Sequence, residues 1–285
     1  MDVFPAWFLN FMIAFVNGIL TLFHSSRANK NRKEIDLTGY RLTFSDDFDG
    51  DSLDPEKWGA HEFFGMRKGG YWSAGQASVK DGNLIIRTEY KKDGEFGPAW
   101  YTCGLSTQHK FEQTYGYFEC RCILPKGQGL WSAFWMLNDN VGKVSKNAIK
   151  GAELDIMESP FWHLKGRRNR RITQNIHFSG YNLQTRYRNV GIFRLDNDPY
   201  ENYNTYGLLW TPEGYVFYIN RQEVAHTAYG GVSTQPEYLI LSCEVDGGDG
   251  LPTYGWSGNI KKNDKATFIA EYKVDYVRAY QLPQQ

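Results

Sequence analysis

An alternating stretch near the middle of the chain reads Tyr115-Gly-Tyr-Phe-Glu-Cys-Arg-Cys-Ile123. Phe118 and Cys120 fall on one side of an extended backbone, and Glu119 and Arg121 fall on the other. Side chains of a β-strand alternate between the two faces of a sheet, so this period of two predicts a strand with one apolar face. The segment therefore indicates a sheet and not a helix.

Comparable runs recur along the chain and are separated by turn signals. The further predicted strands are Asn83–Thr88, Tyr215–Ile219, Tyr238–Ser242 and Lys273–Tyr280, and the turns fall at Asp81-Gly82, Asp93-Gly94, Pro125–Gly127, Glu213-Gly214 and Gly247-Gly248. Convincing helical stripes are absent, and no repeat or Pro-rich linker divides the chain. Many short strands without alternating helices predict an all-β, antiparallel two-sheet sandwich.

The overall charge excludes one class of function. The chain has 285 residues with 32 basic and 32 acidic side chains, so its formal net charge is zero. Proteins that bind nucleic acid or anionic membranes through bulk charge need a surplus of Lys and Arg, so we expect no nucleic-acid partner. Aromatic residues make up 16% of the chain. Such a content fills a β core or paves a binding surface.

The amino-terminal segment is apolar. Residues 3–23 carry no charged side chain, and a basic run follows at Arg27–Lys33. The length is enough to span a bilayer, but Asp2 precedes the run and no Ala-x-Ala cleavage site follows it. Two interpretations stay open, an export or membrane-anchor segment and a leader that packs on the domain or is disordered. We therefore assign residues 1–33 to a leader with a basic linker and residues 34–285 to one β domain.

The chain has four cysteines, Cys103, Cys120, Cys122 and Cys243, which are too few for a disulfide framework. Cys120 and Cys122 lie two apart on a predicted strand and share a face, so a bond between them is not expected. No Cys/His cluster has the spacing of a zinc site. We predict small buried hydrophobic residues, with a bridge from Cys103 to Cys120 or Cys122 as the alternative.

The stretch Gly151–Pro160 carries three carboxylates within six residues, Glu153, Asp155 and Glu158. On a regular strand Glu153 and Asp155 share one face, and Glu158 points to the opposite face. A β-bulge at Ile156-Met157 adds one residue and returns Glu158 to the face of the other two. The spacing then allows all three carboxylates to meet in one site.

Carboxylates that lie close together repel one another, which is useful where one of them must stay protonated. Asp155 between the two glutamates favours a general acid with a raised pKa beside an ionised nucleophile. A retaining glycosidase needs such a pair roughly 5–5.5 Å apart. An exposed acidic strand or the solvated face of a helix would show the same residues, so spacing alone leaves catalysis and these alternatives open.

The segment Glu153-Leu-Asp-Ile-Met-Glu158 resembles the Glu-x-Asp-x-x-Glu signature of glycoside hydrolase family 16, which includes laminarinases, lichenases, agarases and carrageenases. Flanking segments match the family in the same order: Phe44–Gly50 with Leu53 and Trp58, Val79–Leu84, Tyr115–Glu119, Gly129–Leu137 and Val274–Arg278. The resemblance covers residues 40–281 and implies a β-jelly roll with a concave glycan-binding cleft. It also implies Glu153 as nucleophile, Glu158 as general acid/base and Asp155 as their electrostatic partner.

The resemblance implies five further residues in substrate binding. Trp131 and Trp135 match tryptophans beside the cleaved sugar, where flat indole faces suit sugar C–H surfaces. His177 matches a histidine on the strand beside the catalytic one. Trp72 and Trp256 hold loop-like positions that resemble glycan-contacting aromatic residues. The alternatives are two core tryptophans, a structural histidine and two aromatic residues without a ligand.

Two more features concern charge. The basic segment Lys165–Arg171 follows the catalytic strand and is either a solvated hairpin tip or a site whose arginines bind an acidic or sulfated glycan. Family members often carry a calcium ion held partly by an aspartate of the last strand, here Asp275, and oxygen ligands suit that ion. We expect no required cofactor and regard the structural calcium as optional.

The resemblance implies a function for residues 34–285 as the catalytic domain. We expect an endo-acting, retaining hydrolase of a β-linked polysaccharide, with β-1,3- or mixed-linkage β-1,3/1,4-glucan as the main expectation. The alternatives are a hydrolase of a sulfated or neutral galactan, a transglycosylase and a non-catalytic glycan-binding lectin. We expect a monomer that is extracellular or associated with the cell envelope, with membrane anchoring through residues 1–33 as one option.

Overall fold

A computed structural model describes residues 25–27, 33–60, 65–160, 170–181, 184–247 and 256–281. These residues form twenty β-strands, which we number along the chain, and two 3₁₀ turns at Ala74–Gln76 and Ile260–Lys262. No α-helix occurs among them. The predicted all-β class is therefore confirmed.

One sheet, here called the cleft sheet, has nine strands. In spatial order they are β1 (Ser25–Arg27), β15 (Arg186–Arg194), β14 (Arg171–Phe178), β13 (Glu153–Ser159), β12 (Leu130–Leu137), β19 (Glu237–Val245), β9 (Gly104–Ser106) and β3 (Gly59–Ala60), with β10 (Glu112–Gln113) beside β19. The catalytic segment predicted from sequence is β13, a central strand. Because β13 is hydrogen-bonded to β14 on one side and to β12 on the other, its backbone is held along both edges.

The second sheet, here called the back sheet, has eleven strands. In spatial order they are β18 (Gln222–Thr227), β17 (Gly214–Ile219), β16 (Asn204–Thr211), β11 (Gly116–Ile123), β20 (Ile269–Gln281), β7 (Asn83–Lys91), β8 (Ala99–Thr102), β5 (Gly70–Trp72) and β4 (Gly65–Arg67), with β2 (Arg41–Asp46) beside β20 and β6 (Ala77–Lys80) beside β7. All described pairs are antiparallel except β1 with β15 and β5 with β8. The predicted two-sheet sandwich is thus confirmed, with two parallel pairs added.

The core lies between the two sheets. Phe118 and Cys120 of β11 and Phe134, Leu154 and Ile156 of the cleft sheet are fully buried in one hydrophobic cluster. Each large apolar side chain removed from water in this way stabilises the fold by roughly 1.5–3 kcal/mol. This packing leaves the opposite face of β12, β13 and β14 available for polar side chains.

The polar face of β11 is buried at Glu119, unlike that of a simple surface strand. Glu119 has no solvent exposure, and both of its oxygens accept hydrogen bonds from Arg221, at 3.0 and 2.9 Å. Tyr117 and Tyr276 each donate a further hydrogen bond to this carboxylate at 2.9 Å. Four charge-assisted bonds therefore replace water around a buried charge.

All four cysteines are free and buried, so the prediction of small buried hydrophobic residues is confirmed. The backbone of Cys243 in β19 donates to the carbonyl of Cys103, which lies between β8 and β9, at 3.0 Å. Burial raises the pKa of both thiols, to about 12 for Cys103 and about 11 for Cys243. The thiols therefore stay protonated and unreactive near neutral pH.

The leader, residues 1–33, is described only at β1 and at its last residue. The backbone of β1 pairs with Ile192–Arg194 of β15, which makes it the edge strand of the cleft sheet. From Lys33 the chain is tied to the β17–β18 hairpin, where the Glu223 amide donates to the Lys33 carbonyl at 2.9 Å. No helix among the described residues is long and apolar enough to cross a membrane.

Candidate active site

A β-bulge in β13 brings the three carboxylates to one face. Across the β12–β13 pair, Ala133 lies opposite Glu158 and Trp135 lies opposite Asp155. From Asp155 to Glu158 the chain advances three residues along β13, whereas the facing β12 advances only two, so the register shifts at this point. The same shift appears between β13 and β14. The predicted bulge at Ile156-Met157 is therefore confirmed, and its extra residue turns Glu158 towards the face of Glu153 and Asp155.

The three carboxyl groups differ in environment. Asp155 and Glu158 are 3% and 5% exposed, whereas the side chain of Glu153 is 15% exposed. Burial, followed by the charge of Asp155, raises the pKa of Glu158 well above its usual range. Burial and the charge of Glu153 do the same to the pKa of Asp155, against the effect of a hydrogen bond with Glu158. Glu158 is thus suited to hold a proton and deliver it.

Two donors fix the carboxyl group of Glu158. The indole N–H of Trp131 donates to Oε1 at 2.8 Å, and the side-chain amide of Asn175 donates to Oε2. Asn175 is itself held by Asn189, whose amide donates to Oδ1 at 2.8 Å. These bonds favour the ionised form, but burial outweighs them in setting the pKa. The two donors therefore set the orientation of Glu158.

His177 lies directly across from Glu153 in the β13–β14 register. Its Nε2 is 3.2 Å from Asp155 Oδ2 and 4.0 Å from Glu153 Oε1. Tyr187 of β15 stacks on the imidazole, with ring centroids 5.6 Å apart. The structure thus places His177 nearer to Asp155 than to the predicted nucleophile.

The carboxylates open into a cleft of about 400 Å³, lined in part by Trp131, Trp135, His177 and Tyr181. Trp135 forms part of the floor, 7% exposed, and its indole N–H donates to Ser242 Oγ at 3.0 Å. Trp131 is half-buried at the rim. Both predicted tryptophans therefore border the space in front of the acids.

The structure corrects one predicted glycan contact. Trp72 is fully buried in β5 and donates its indole N–H to the carbonyl of Cys243 at 2.8 Å. A side chain at Gly104 would collide with this ring, at 2.5 Å. Trp72 therefore lies beneath the cleft sheet, where it cannot contact a glycan. The resemblance implied a loop-like position, whereas Trp72 packs into the core.

Trp256 lies beside the cleft through its contact with Trp131. The two rings meet edge to face with centroids 4.5 Å apart, and the ammonium of Lys68 lies 4.1 Å from the centroid of Trp131. Trp256 and Lys68 thus hold the ring that orients Glu158. Whether Trp256 also touches a glycan stays a prediction.

The calcium site predicted at Asp275 is not favoured by its surroundings. The carboxylate of Asp275 forms an ion pair with Arg121 at 2.5 Å. Among the described residues, the group of at least three His, Cys, Asp or Glu side chains close enough for a metal is Glu153, Asp155 and His177. A guanidinium on the proposed ligand does not fit a calcium ion at Asp275.

The basic segment Lys165–Arg171 lies mostly outside the described residues. Arg170 donates to the carbonyl of Asp196 at 3.4 Å, and Arg171 is 8% exposed on β14. Arg171 is therefore not available to a glycan, and the role predicted for the remaining arginines stays a prediction.

Sequence reasoning missed several residues of the cleft. Arg67 and Lys68 line it, and both pair with Glu244, at 2.7 and 3.4 Å. Asn175 and Tyr181 contact the acids directly. Asn175 could have been found, because its position two residues before His177 puts both on one face of β14. The other three depend on how hairpins and loops fold over the sheet.

Glu237, the first residue of β19, provides a pH-dependent test of the fold under the catalytic strand. Burial raises its pKa to about 8, although the amide of Ala152 donates to Oε1 at 3.1 Å. The folded state therefore keeps a proton that the unfolded chain releases above its ordinary pKa of 4.5. This stabilisation is complete below pH 4.5 and is lost as the pH rises towards 8.

We expect Glu237→Gln to change the pH dependence of stability. The amide keeps an acceptor for Ala152 and cannot ionise. Its free energy of unfolding, relative to that of the wild type, should rise between pH 5 and pH 8.5 by a few kcal/mol, since each pKa unit corresponds to roughly 1.4 kcal/mol. Urea unfolding of both proteins at several pH values measures this. A difference that is constant with pH would contradict it.

The family model described as Beta-porphyranase A-D, GH16 domain matches residues 41–282. The chain belongs to glycoside hydrolase family 16.

Two curated relatives are similar over most of this chain. The endo-1,3-1,4-beta-glycanase EglC of Rhizobium meliloti (strain 1021) is 31% identical over 90% of this chain and 55% of its own length. The keratan-sulfate endo-1,4-beta-galactosidase of Sphingobacterium multivorum is 28% identical over 89% of this chain and 58% of its own. The chain thus spans little more than half the length of these relatives.

A solved family 16 structure shares the fold. The non-specific endo-beta-1,3(4)-glucanase SCLam matches with a TM-score of 0.70 and 26% identity, over 91% of this chain and 97% of that one. The family 16 jelly roll predicted from the sequence is therefore confirmed.

Proposed function

We propose that this family 16 protein is an endo-acting, retaining hydrolase of a β-linked polysaccharide, most directly a β-1,3- or mixed-linkage β-1,3/1,4-glucan. The observation that carries the proposal is the unequal environment of two glutamates on one bulged strand. Glu158 is buried with a raised pKa, and Glu153 lies beside it at the edge of the cleft. Such a pair supplies an acid and a nucleophile.

The two residues act in two steps. Glu158 protonates the oxygen of the scissile glycosidic bond while a carboxylate oxygen of Glu153 attacks the anomeric carbon, which expels the leaving sugar. Glu158, now ionised, takes a proton from water as the water attacks the same carbon and releases Glu153. Two displacements at one carbon retain its configuration. Asp155 pairs with His177, and its negative charge helps to raise the pKa of Glu158.

The names of the relatives support a glucan. EglC is named an endo-1,3-1,4-beta-glycanase, and SCLam is described as a non-specific endo-beta-1,3(4)-glucanase. The cleft floor of Trp135 and Ala133 gives a flat apolar surface suited to sugar C–H groups.

A second candidate substrate is a galactan, sulfated or neutral. The matching family model is named for β-porphyranases, and one relative is named a keratan-sulfate galactosidase. Arg67 and Lys68 in the cleft favour an anionic substituent, although Glu244 neutralises part of their charge. This candidate differs from the first in the sugar and not in the chemistry.

A polysaccharide panel tests both substrates. We expect release of oligosaccharides with retained configuration from laminarin or barley glucan, measured by mass spectrometry and by NMR of the fresh products. Cleavage confined to agarose or carrageenan would favour the galactan. Products longer than the acceptors supplied would indicate transglycosylation, and binding of a glycan without any cleavage would indicate a lectin and contradict the proposal.

We also propose, from the apolar leader and the polymeric substrate, that the protein acts outside the cytoplasm or at the cell envelope, and we propose that it is a monomer. A polysaccharide that is too large to enter a cell would meet the enzyme there. Fractionation of the producing cells tests the location, and light scattering tests the oligomeric state.

A further inference from the structure

Tyr181 projects from the end of β14 back over the catalytic strand. Its hydroxyl donates a hydrogen bond to Glu153 Oε2, and its ring lines the cleft, 60% exposed. Desolvation by the surrounding protein, followed by the charge of Glu153, raises the pKa of Tyr181, so the phenol keeps the proton that it donates. Stacking on a sugar does not by itself explain this residue, because its hydroxyl group is hydrogen-bonded to the nucleophile Glu153.

The backbone around Tyr181 is shaped to place it there. Ser179 and Gly180 both have positive φ, 72° and 79°, so the chain reverses immediately after β14. The Gly180 amide donates to the carbonyl of Val141 at 2.8 Å, and Thr185 Oγ1 donates to the carbonyl of Gly180 at 2.7 Å. A non-glycine residue with positive φ costs energy and persists where its surroundings fix it. Tyr181 therefore follows directly after a turn that these hydrogen bonds hold in place.

The contacts distinguish the two oxygens of Glu153. Oε2 accepts from Tyr181, and Oε1 lies 4.0 Å from His177 Nε2. Attack by Oε1 on the anomeric carbon would leave the donor on Oε2 in place throughout the reaction. We propose that Tyr181 is a positioning residue that stabilises Glu153 as the leaving group in the second step. This inference rests on the retaining mechanism proposed above.

The charge on Glu153 changes in opposite directions in the two steps. In the first step its lone pair forms the C1–O bond, and its charge disappears into an ester. In the second step water oxygen bonds to C1, the C1–O bond to Glu153 breaks, its electron pair returns to the carboxylate, and a water proton passes to Glu158. A donor on Oε2 stabilises the carboxylate more than the ester. Tyr181 therefore assists the second step and not the first.

Tyr181→Phe tests this difference. The substrate is an aryl β-glycoside, with an acidic phenol as leaving group, of an oligosaccharide that the wild type releases from its polysaccharide. The first step is then fast, and the second limits kcat. We expect kcat to fall roughly tenfold, as for the loss of one hydrogen bond to a charged group. KM should fall in proportion, which leaves kcat/KM unchanged, and intact-protein mass spectrometry should show the glycosyl adduct on the variant during turnover.

Tyr203→Phe is the matched control, because it also removes a phenol hydrogen bond, to Asn83 at 2.6 Å, but on the back sheet. It should leave all three kinetic values unchanged. An unchanged kcat in Tyr181→Phe, or a parallel loss of kcat and kcat/KM without an adduct, would overturn the inference. Failure of the wild type to cleave any glycan or aryl glycoside would instead overturn the proposed function, so the two failures are distinguishable.

Discussion

Glu158→Gln is expected to lower kcat on the polysaccharide roughly a thousandfold, within the 10²–10⁴ range of general acid–base catalysis. The sugar alcoholate is a poor leaving group and needs the proton of Glu158. An aryl glycoside with an acidic phenol does not, so its first step should be nearly unaffected in this variant. Glu153→Ala removes the nucleophile and should abolish turnover of both substrates. Reducing-end release and phenol release measure the two cases.

The controls separate chemistry from folding. Glu213→Gln removes the charge of an exposed turn carboxylate and should retain full activity. Thermal unfolding should show that the Glu153 and Glu158 variants remain folded, since burial of Glu158 already favours its neutral form. Turnover of the polysaccharide like that of the wild type in one of these variants would refute the role assigned to the residue replaced.

Arg221→Ala is expected to have the second-largest effect, on stability. Its guanidinium donates to both oxygens of Glu119, whose carboxylate has no solvent exposure. Removing one partner of a buried ion pair costs about 3–5 kcal/mol, because the remaining charge stays in a poorly solvated place. Arg221 is 41% exposed in its side chain, so water can enter and we expect about 3 kcal/mol. Urea unfolding measures this difference.

Lys126→Ala is the matched control for that experiment. Lys126 pairs with Glu201, and the two side chains are 52% and 56% exposed. Exposed ion pairs contribute about 0–1 kcal/mol, so this variant should be close to the wild type in stability. A similar loss in both variants would show that the position of Glu119 inside the back sheet does not determine the effect.

Local patterns were enough to predict the strands and the bulge. The alternation at Tyr115–Ile123 corresponds to β11 (Gly116–Ile123), and the spacing of Glu153 and Glu158 required the one extra residue that β13 contains. Both features depend on the two-residue period of a strand, which is a property of neighbouring positions along the chain. Both features could therefore be predicted without knowing which strands pair with β11 and β13.

Contacts between distant segments could not be predicted in the same way. Trp72 was expected in a loop but lies under Cys243, 171 positions later. Glu119 sits on the polar side of its strand, yet Arg221 and Tyr276 bury it. Tyr181 reaches Glu153 because a turn folds back over the sheet. Each outcome depends on which distant segments come together in the fold. The alternation of side chains along a single strand does not contain this information.

The sequence by itself determined the all-β class, the family and the three acids on one strand, because alternation and spacing are written along the chain. The tertiary structure alone decided which acid is desolvated, which oxygen of Glu153 is held, and which tryptophans border the cleft. Those properties arise from burial and from donors on other strands. Trp131 and Asn175 orient Glu158, and Tyr181 holds Glu153, only after β12, β13 and β14 have paired in the cleft sheet.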